Sequence, residues 1–242
     1  MNIKTISTIC KYLAIPLVLG FPIAVIAYRL NLWEMGTSFK IIQYTGYGSI
    51  VVLAITLIVG IFAFIKKYKP IAERSACIAV LLAVPVIGLA LQASKAKSLP
   101  FLHQVTTDTV NLPQFNSIVA LRGEGSNPLA YNSEKLAPLQ LQAYPELKPI
   151  ISELTFEQAF SKAIQTAKAL DWEIVAQQPE QGSIEAVDTT LLWGFKDDIA
   201  IRIIATNTGS KIDLRSISRI GGTDLGANAD RVKNFIKMFN EN

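Results

Sequence analysis

Residues 210–239 read SKIDLRSISRIGGTDLGANADRVKNFIKMF, and their period changes once. From Ser210 to Ile220 the chain alternates. Ile212, Leu214, Ser216 and Ser218 fall on one face; Asp213, Arg215, Ile217 and Arg219 fall on the other. A period of two is that of a β-strand, and this strand is unusually charged. Gly221 and Gly222 interrupt it. Beyond them Leu225, Ala229, Val232, Ile236 and Phe239 recur at steps of three and four, the stripe of an amphipathic helix that Asp224 can cap. A polar strand therefore runs through a glycine turn into a helix. Arg215, Ser216, Ser218, Arg219, Asp224 and Asn228 gather near that turn.

Working back from this stretch, three more strands are expected at residues 172–177 (WEIVAQ), 182–190 (GSIEAVDTT) and 198–207 (DIAIRIIATN). A QPEQG turn and a Thr208-Gly209 turn are too short for parallel crossovers, so the four strands form an antiparallel meander. A helix precedes them, with Thr155 as N-cap and Gln158 in the capping-box position. Its apolar face is Phe156, Ala159, Phe160, Ala163, Ile164, Ala167 and Leu170. The expected fold is an α+β domain: a four-stranded antiparallel meander with two flanking helices packed on one face. Its core is residues 151–242. Residues 100–150, rich in Pro, Asn, Gln and Ser, read as an extended segment joined to it, with 123–138 the most loop-like part. On residues 198–207, Ile199, Ile201 and Ile203 share the core face, and Arg202 points away from it. Glu185, Arg202, Asp213 and Arg215 are thus expected on a helix-free sheet face open to water.

Residues 1–99 are of another kind. Three apolar runs, about 12–30, 49–65 and 75–93, each approach the roughly 20 residues that cross about 30 Å of hydrocarbon. Lys, Arg, Tyr and Trp flank them, as at membrane interfaces. The first run lacks a signal-peptide cleavage pattern, and two more follow it. Residues 1–99 hold ten Lys/Arg against Glu34 and Glu73, and residues 100–242 hold 13 against 17 Asp/Glu. The overall charge of +4 is therefore a membrane-flank signal, not a nucleic-acid-binding surface. With alternating spans, Lys4, Lys11, Lys66, Lys67, Lys69 and Arg74 lie on one side, and Arg29, Lys40, Lys95 and Lys97 on the other. Six against four places the N-terminus inside and the C-terminal domain outside. Cys10 and Cys77 lie in or beside apolar runs and make no disulfide framework.

Several short motifs together resemble a known family. HQVTTDTVNLPQF at 103–115, YPELKP at 144–149, GFKDD at 194–198 and DLRSISRIG at 213–221 are similar to motifs of a bacterial family of unknown function, domain of unknown function 1499. Leu112 departs from it, standing where the family often has the first of two prolines. The resemblance covers nearly all of residues 100–240. It implies a bacterial setting and N-terminal spans in some members, and it implies no activity.

The candidate chemistry is thin. His103 is the only histidine, too few for the usual zinc sites, and no G-x-S-x-G elbow accompanies it. No P-loop, dinucleotide fingerprint or EF-hand loop is present. No metal, no cofactor and no catalytic set is expected. Arg202, Arg215 and Arg219 are the better lead. Guanidiniums sharing a sheet face can fork onto a phosphate or carboxylate, with Ser218, Asp224, Asn228 and the glycine-turn amides adding partners. His103, Asp108, Glu185, Asp198 and Asp213 are weaker candidates. The competing reading is a cross-strand ladder in which Glu185 and Asp213 pair with these arginines. The expected protein is an inner-membrane protein with an extracytoplasmic module, binding an anionic ligand or an envelope partner. The alternatives are a hydrolase-like enzyme acting on an envelope substrate, and a scaffold without a small ligand.

Overall fold

The computed structural model describes residues 2–241. The chain divides into two units, Met1–Lys95 and Ala96–Asn242.

The first unit is helical: α1 (Ile3–Arg29), α2 (Met35–Ile65) and α3 (Lys69–Ser98), the last running three residues into the second unit. All three are long and apolar enough to cross a membrane. Each starts well before its apolar run, and α3 also ends beyond it, because backbone hydrogen bonding continues through the polar flanks. Cys10 and Ala14 of α1, Val52 of α2, and Ile78 and Leu82 of α3 form a shared core. Close helix approach depends on small residues: a Cβ on Gly20 would lie 2.3 Å from the Thr45 methyl, and one on Gly48 2.6 Å from Leu17.

The second unit is an antiparallel sheet domain with helices, and its sheet has six strands where four are expected. They are β1 (Gln104–Thr106), β2 (Ile150–Ser152), β3 (Glu173–Gln178), β4 (Ser183–Thr189), β5 (Lys196–Thr206) and β6 (Gly209–Ser218). β3 to β6 form the anticipated meander, with Ala200 opposite Arg215 and Arg202 opposite Asp213. β1 comes from the segment read as extended, and β2 from its junction with the expected core. Both pair with the free edge of β6, β2 along residues 210–212 and β1 along 215–217. Between them Thr107 bridges the gap, its N–H donating to the Leu214 carbonyl and its hydroxyl accepting the Leu214 N–H, both at 2.9 Å. The charged strand is therefore interior to the sheet. Its charges do not guard an edge.

Helices α4 (Ser133–Ala143), α5 (Phe156–Ala169) and α6 (Ala227–Glu241) contribute to one core with the sheet face of Ile184, Ala186, Ile199, Ile201, Ile203, Ile212 and Leu214. α5 starts on the anticipated capping box, with both reciprocal hydrogen bonds formed. α4 lies partly within the stretch read as most loop-like. Asn132 caps it, accepting from the Lys135 N–H, and Leu136 and Gln140 form its buried face. α6 starts later than its stripe suggests. Leu225 adopts φ 53° outside the helix, and the buried stripe is Ala229, Val232, Phe235 and Phe239, accompanied by Asn228 and Arg231.

The other sheet face is covered as well. Phe115, Ile118 and Leu129 pack on Val187, Ala200 and Ile217 in a second small core. The face expected to be wet is roofed by residues 107–131, which include a 3-10 turn at Ser117–Leu121. Glu185, Asp198, Asp213 and Arg215 are all at most 3% exposed. A solvated salt-bridge ladder is thereby replaced by a buried polar layer.

Candidate functional site

The turn after β6 does gather polar groups, and they separate by sheet face. On the helix side, Ser216 and Ser218 point toward α6, as alternation requires. Asp224 accepts the N–H groups of Gly226 at 2.9 Å and Asn228 at 2.7 Å, capping the entry to α6. Asn228 accepts from the Ser216 hydroxyl at 2.6 Å. Its amide nitrogen donates to Ser218 Oγ and to the His103 carbonyl, both at 3.0 Å. Arg231 closes this network. It donates to Asp188 at 2.7 Å, Asp197 at 2.6 Å, Asn228 Oδ1 at 2.7 Å and Ser216 Oγ at 3.1 Å. Burial pushes the Asp197 carboxyl up, against the opposing pull of Arg231. Arg231 was not among the expected site residues. The signal for it is its place three residues after Asn228, on the apolar stripe of a helix, where a charge has to find buried partners.

On the roofed face the expected residues fall into four separate arrangements. Arg202 donates to Asp213 at 2.6 Å, to Asp108 at 3.4 Å and to the Asn111 carbonyl at 2.6 Å. Lys211 lies 3.0 Å from Asp108 and 3.4 Å from Asp213. Two cations and two carboxylates balance there. Arg219 pairs with Asp198 at 2.8 Å and donates to the Leu121 carbonyl at 2.9 Å, and Arg122, from the covering segment, also contacts Asp198. Glu185 meets no arginine. It accepts the N–H groups of Asn116, Ser117 and Ile118 at 3.0, 2.8 and 2.9 Å, fixing the start of the 3-10 turn. This corrects the Glu185 part of the expected ladder. Its partners lie 67 to 69 residues away in sequence, beyond any strand-register argument.

Arg215 is the exception. It is 3% exposed, and among the described residues no carboxylate lies within ion-pairing distance. It donates to the Gln104 side-chain oxygen at 2.8 Å and to the Leu129 carbonyl, and its guanidinium lies 5.0 Å from the Phe115 ring centroid. Its Nε is buried without a partner, as is the Tyr131 hydroxyl. Burial pulls the Arg215 pKa down to about 10. The structure thus does not bring the three candidate arginines to one ligand position, since Arg202 and Arg219 are held by internal carboxylates. His103 is half-buried. Burial pulls its imidazole down, partly offset by Asp224.

A family model described as a protein of unknown function, DUF1499, matches residues 104–239. The match starts where β1 starts and ends at Phe239, the last residue of the buried α6 stripe. It thus spans the sheet, its helices and the covering segment. A search of curated proteins found no match. With the matched region covering more than half of its length, the chain belongs to the DUF1499 family.

Proposed function

We propose that this chain is a multi-pass protein of the bacterial inner membrane whose sheet domain faces away from the cytoplasm and binds a small anion at Arg215. The observation that carries the reading is the isolation of that guanidinium. A buried cation without a counter-ion is costly, and carbonyl oxygens with one aromatic face compensate it only in part. A carboxylate or phosphate oxygen reaching Nε would supply both the missing hydrogen bond and the missing charge. Access requires residues 113–131 to lift, and apart from the 3-10 turn at Ser117–Leu121 this roof is irregular. Irregular cover opens more readily than strands do. Arg202 and Arg219 stay with Asp213 and Asp198 throughout, which limits the ligand to one anionic group. The reading is a binding module; none of the carboxylates of the roofed face is left as an available general base, because each is engaged by cations or amides.

The test is a thermal-shift series on the full chain in detergent, with phosphate, acetate and phospholipid headgroups as probes. Wild type should gain stability that saturates with probe concentration. Arg215→Gln should melt at or above the wild-type temperature without probe, since a buried uncompensated charge is gone, and should show no gain. Equal shifts in both proteins, or no shift with any probe, would remove the anion site.

A further inference from the structure

The connection between α2 and α3 is a tight basic turn. It consists of Lys66, Lys67 and Tyr68, and Lys69 opens the next helix. Lys66 ends α2, its N–H donating to the Phe62 carbonyl at 3.0 Å, and the Tyr68 N–H closes on the Ala63 carbonyl at 2.8 Å. Lys67 takes φ 59°, the left-handed conformation that helix ends usually give to glycine. The turn therefore presents its second ammonium at some cost in backbone energy. Arg74 stands in the second turn of α3 and donates to Thr8 Oγ1 at 3.4 Å. Among the described residues, Glu73 is the one carboxylate within ion-pairing distance of these four cations, 3.9 Å from Lys69.

Beside this turn a groove of about 280 Å³ runs between α2 and α3. Small residues open it: Gly60 on α2, and Ala72, Ala76 and Ala79 on α3. The two helices touch at Gly60, where an added Cβ would lie 3.1 Å from the Ser75 Cβ. Two polar side chains line the groove as well. Thr56 is 1% and Ser75 2% exposed, and among the described residues neither hydroxyl has a hydrogen-bond partner. A hydroxyl held in apolar surroundings without a partner is unfavourable. Plain hydrocarbon would fill the groove and leave both hydroxyls orphaned, so the fitting occupant is apolar and carries an acceptor. Ser75 lies six residues into α3 from Lys69, about 9 Å along the helix axis. The acceptor therefore belongs just below the level of the ammonium groups.

We infer that the groove holds one acyl chain of an anionic phospholipid, with an ester carbonyl at the Thr56 and Ser75 hydroxyls and the phosphate at the Lys66-Lys67 turn. The parts of such a lipid match the protein in order along the helix axis. The phosphate meets the ammonium groups, the ester oxygen accepts from the buried hydroxyls, and the hydrocarbon lies against the small residues. A helix from a second copy fits less well. Packed in parallel it would set an identical basic turn against this one, and its backbone carbonyls are already engaged within the helix. The inference rests on the three apolar helices entering a bilayer, and it is independent of the anion reading at Arg215.

The test is native mass spectrometry of the full chain in detergent, with phosphatidylglycerol and phosphatidylcholine of the same acyl chains offered at equal concentration. Wild type should retain one phosphatidylglycerol several-fold more than phosphatidylcholine. Ala76→Phe fills the groove, keeps every charge and should lose that bound lipid. Lys66→Gln with Lys67→Gln should bring the two lipids to equal retention. Thr56→Val with Ser75→Ala keeps shape and charge, and should weaken phosphatidylglycerol retention several-fold. Arg215→Gln should bind as wild type does. Equal retention of both lipids by wild type overturns the inference, and so does wild-type retention in any of the three groove or turn variants. Loss of the lipid in Arg215→Gln would place it in the sheet domain, which overturns the inference and leaves the anion reading standing. An Ala76→Phe chain that does not fold leaves the lysine and hydroxyl variants to decide.

Discussion

Asp108 shows how much one side chain on the roofed face is asked to do. Its Oδ1 accepts the N–H groups of Val110 and Asn111, and its Oδ2 meets Lys211 and Arg202. Burial pushes its carboxyl up, but the two amides and the Lys211 ammonium together hold it below the usual 3.8. Lys211 is the mirror case. Burial pulls it down, and Asp108 with Asp213 raises it above 10.5. The signs give a window. A carboxyl lowered by folding contributes stability that is present above its unfolded value and lost as pH falls through the folded one. An ammonium raised by folding contributes stability that is present below its unfolded value and lost as pH rises through the folded one. Wild type should therefore lose melting temperature on going from about pH 5 to about pH 3, and Asp108→Asn should show a shallower loss over that range. Equal acid limbs in melts of the two proteins would mean that Asp108 does not tie the covering segment to the sheet. The same bonding revises what Arg202 is for. An exposed pair contributes about 0–1 kcal/mol, but Asp213 is fully buried, and Arg202 is needed there to compensate it.

Among the elements, β6 and its neighbours explain why the domain needs residues 104–152. A four-stranded meander would leave the β6 edge open, and an open edge pairs with other chains. β1 and β2 close it, but each has only three residues, too short to stand on ladder bonds alone. α4 supplies the reinforcement. Gln140, 1% exposed, accepts the Thr106 N–H at 2.9 Å and donates to the Thr106 carbonyl at 2.7 Å, so its side-chain amide acts as one more strand residue beside β1. Gln140→Leu keeps the packing volume and orphans both backbone groups, which costs about 1–3 kcal/mol. The check is hydrogen exchange. The Thr106 amide should exchange faster in the variant while the amides of β4 and β5 keep their protection. Unchanged protection at Thr106 would show that α4 and β1 are held by packing alone. At the other end of β2, Gly209 allows the close approach, since a Cβ there would lie 2.1 Å from the Ser152 carbonyl.

For the whole molecule, the division at residue 95 joins an apolar three-helix unit to a sheet domain with its own two cores. The proposed side of the membrane rests on the loop charges, six Lys/Arg against four. The proposed orientation is checked by fusions after Asn242. A phosphatase that needs export should be active, and a fluorescent protein that folds only in the cytoplasm should be dark. The reverse pattern would place the domain, with the proposed Arg215 site, in the cytoplasm, where phosphate and carboxylate metabolites would be the anions to test.

What the sequence by itself determined is what repeats along it. Apolar runs near the length of a bilayer specify the three helices, and periods of two and three to four specify β3 to β6, α5 and α6. Alternation also assigned faces correctly: Ile199, Ile201, Ile203, Ile212 and Leu214 face the helices, while Arg202, Asp213 and Arg215 face away from them. Only the tertiary structure decided what lies over that second face. Residues 107–131 carry no period, because their order comes from groups far along the chain: Glu185 on three amides, Asp198 on Arg122, and Arg215 on the Leu129 carbonyl. β1, β2 and α4 were equally hidden, since three-residue strands and a side-chain amide bridge leave no pattern to read. A local pattern reports the partner that a whole strand or helix needs. It does not report the single buried charge whose partner is brought in by a loop, and that is where the candidate site of this protein lies.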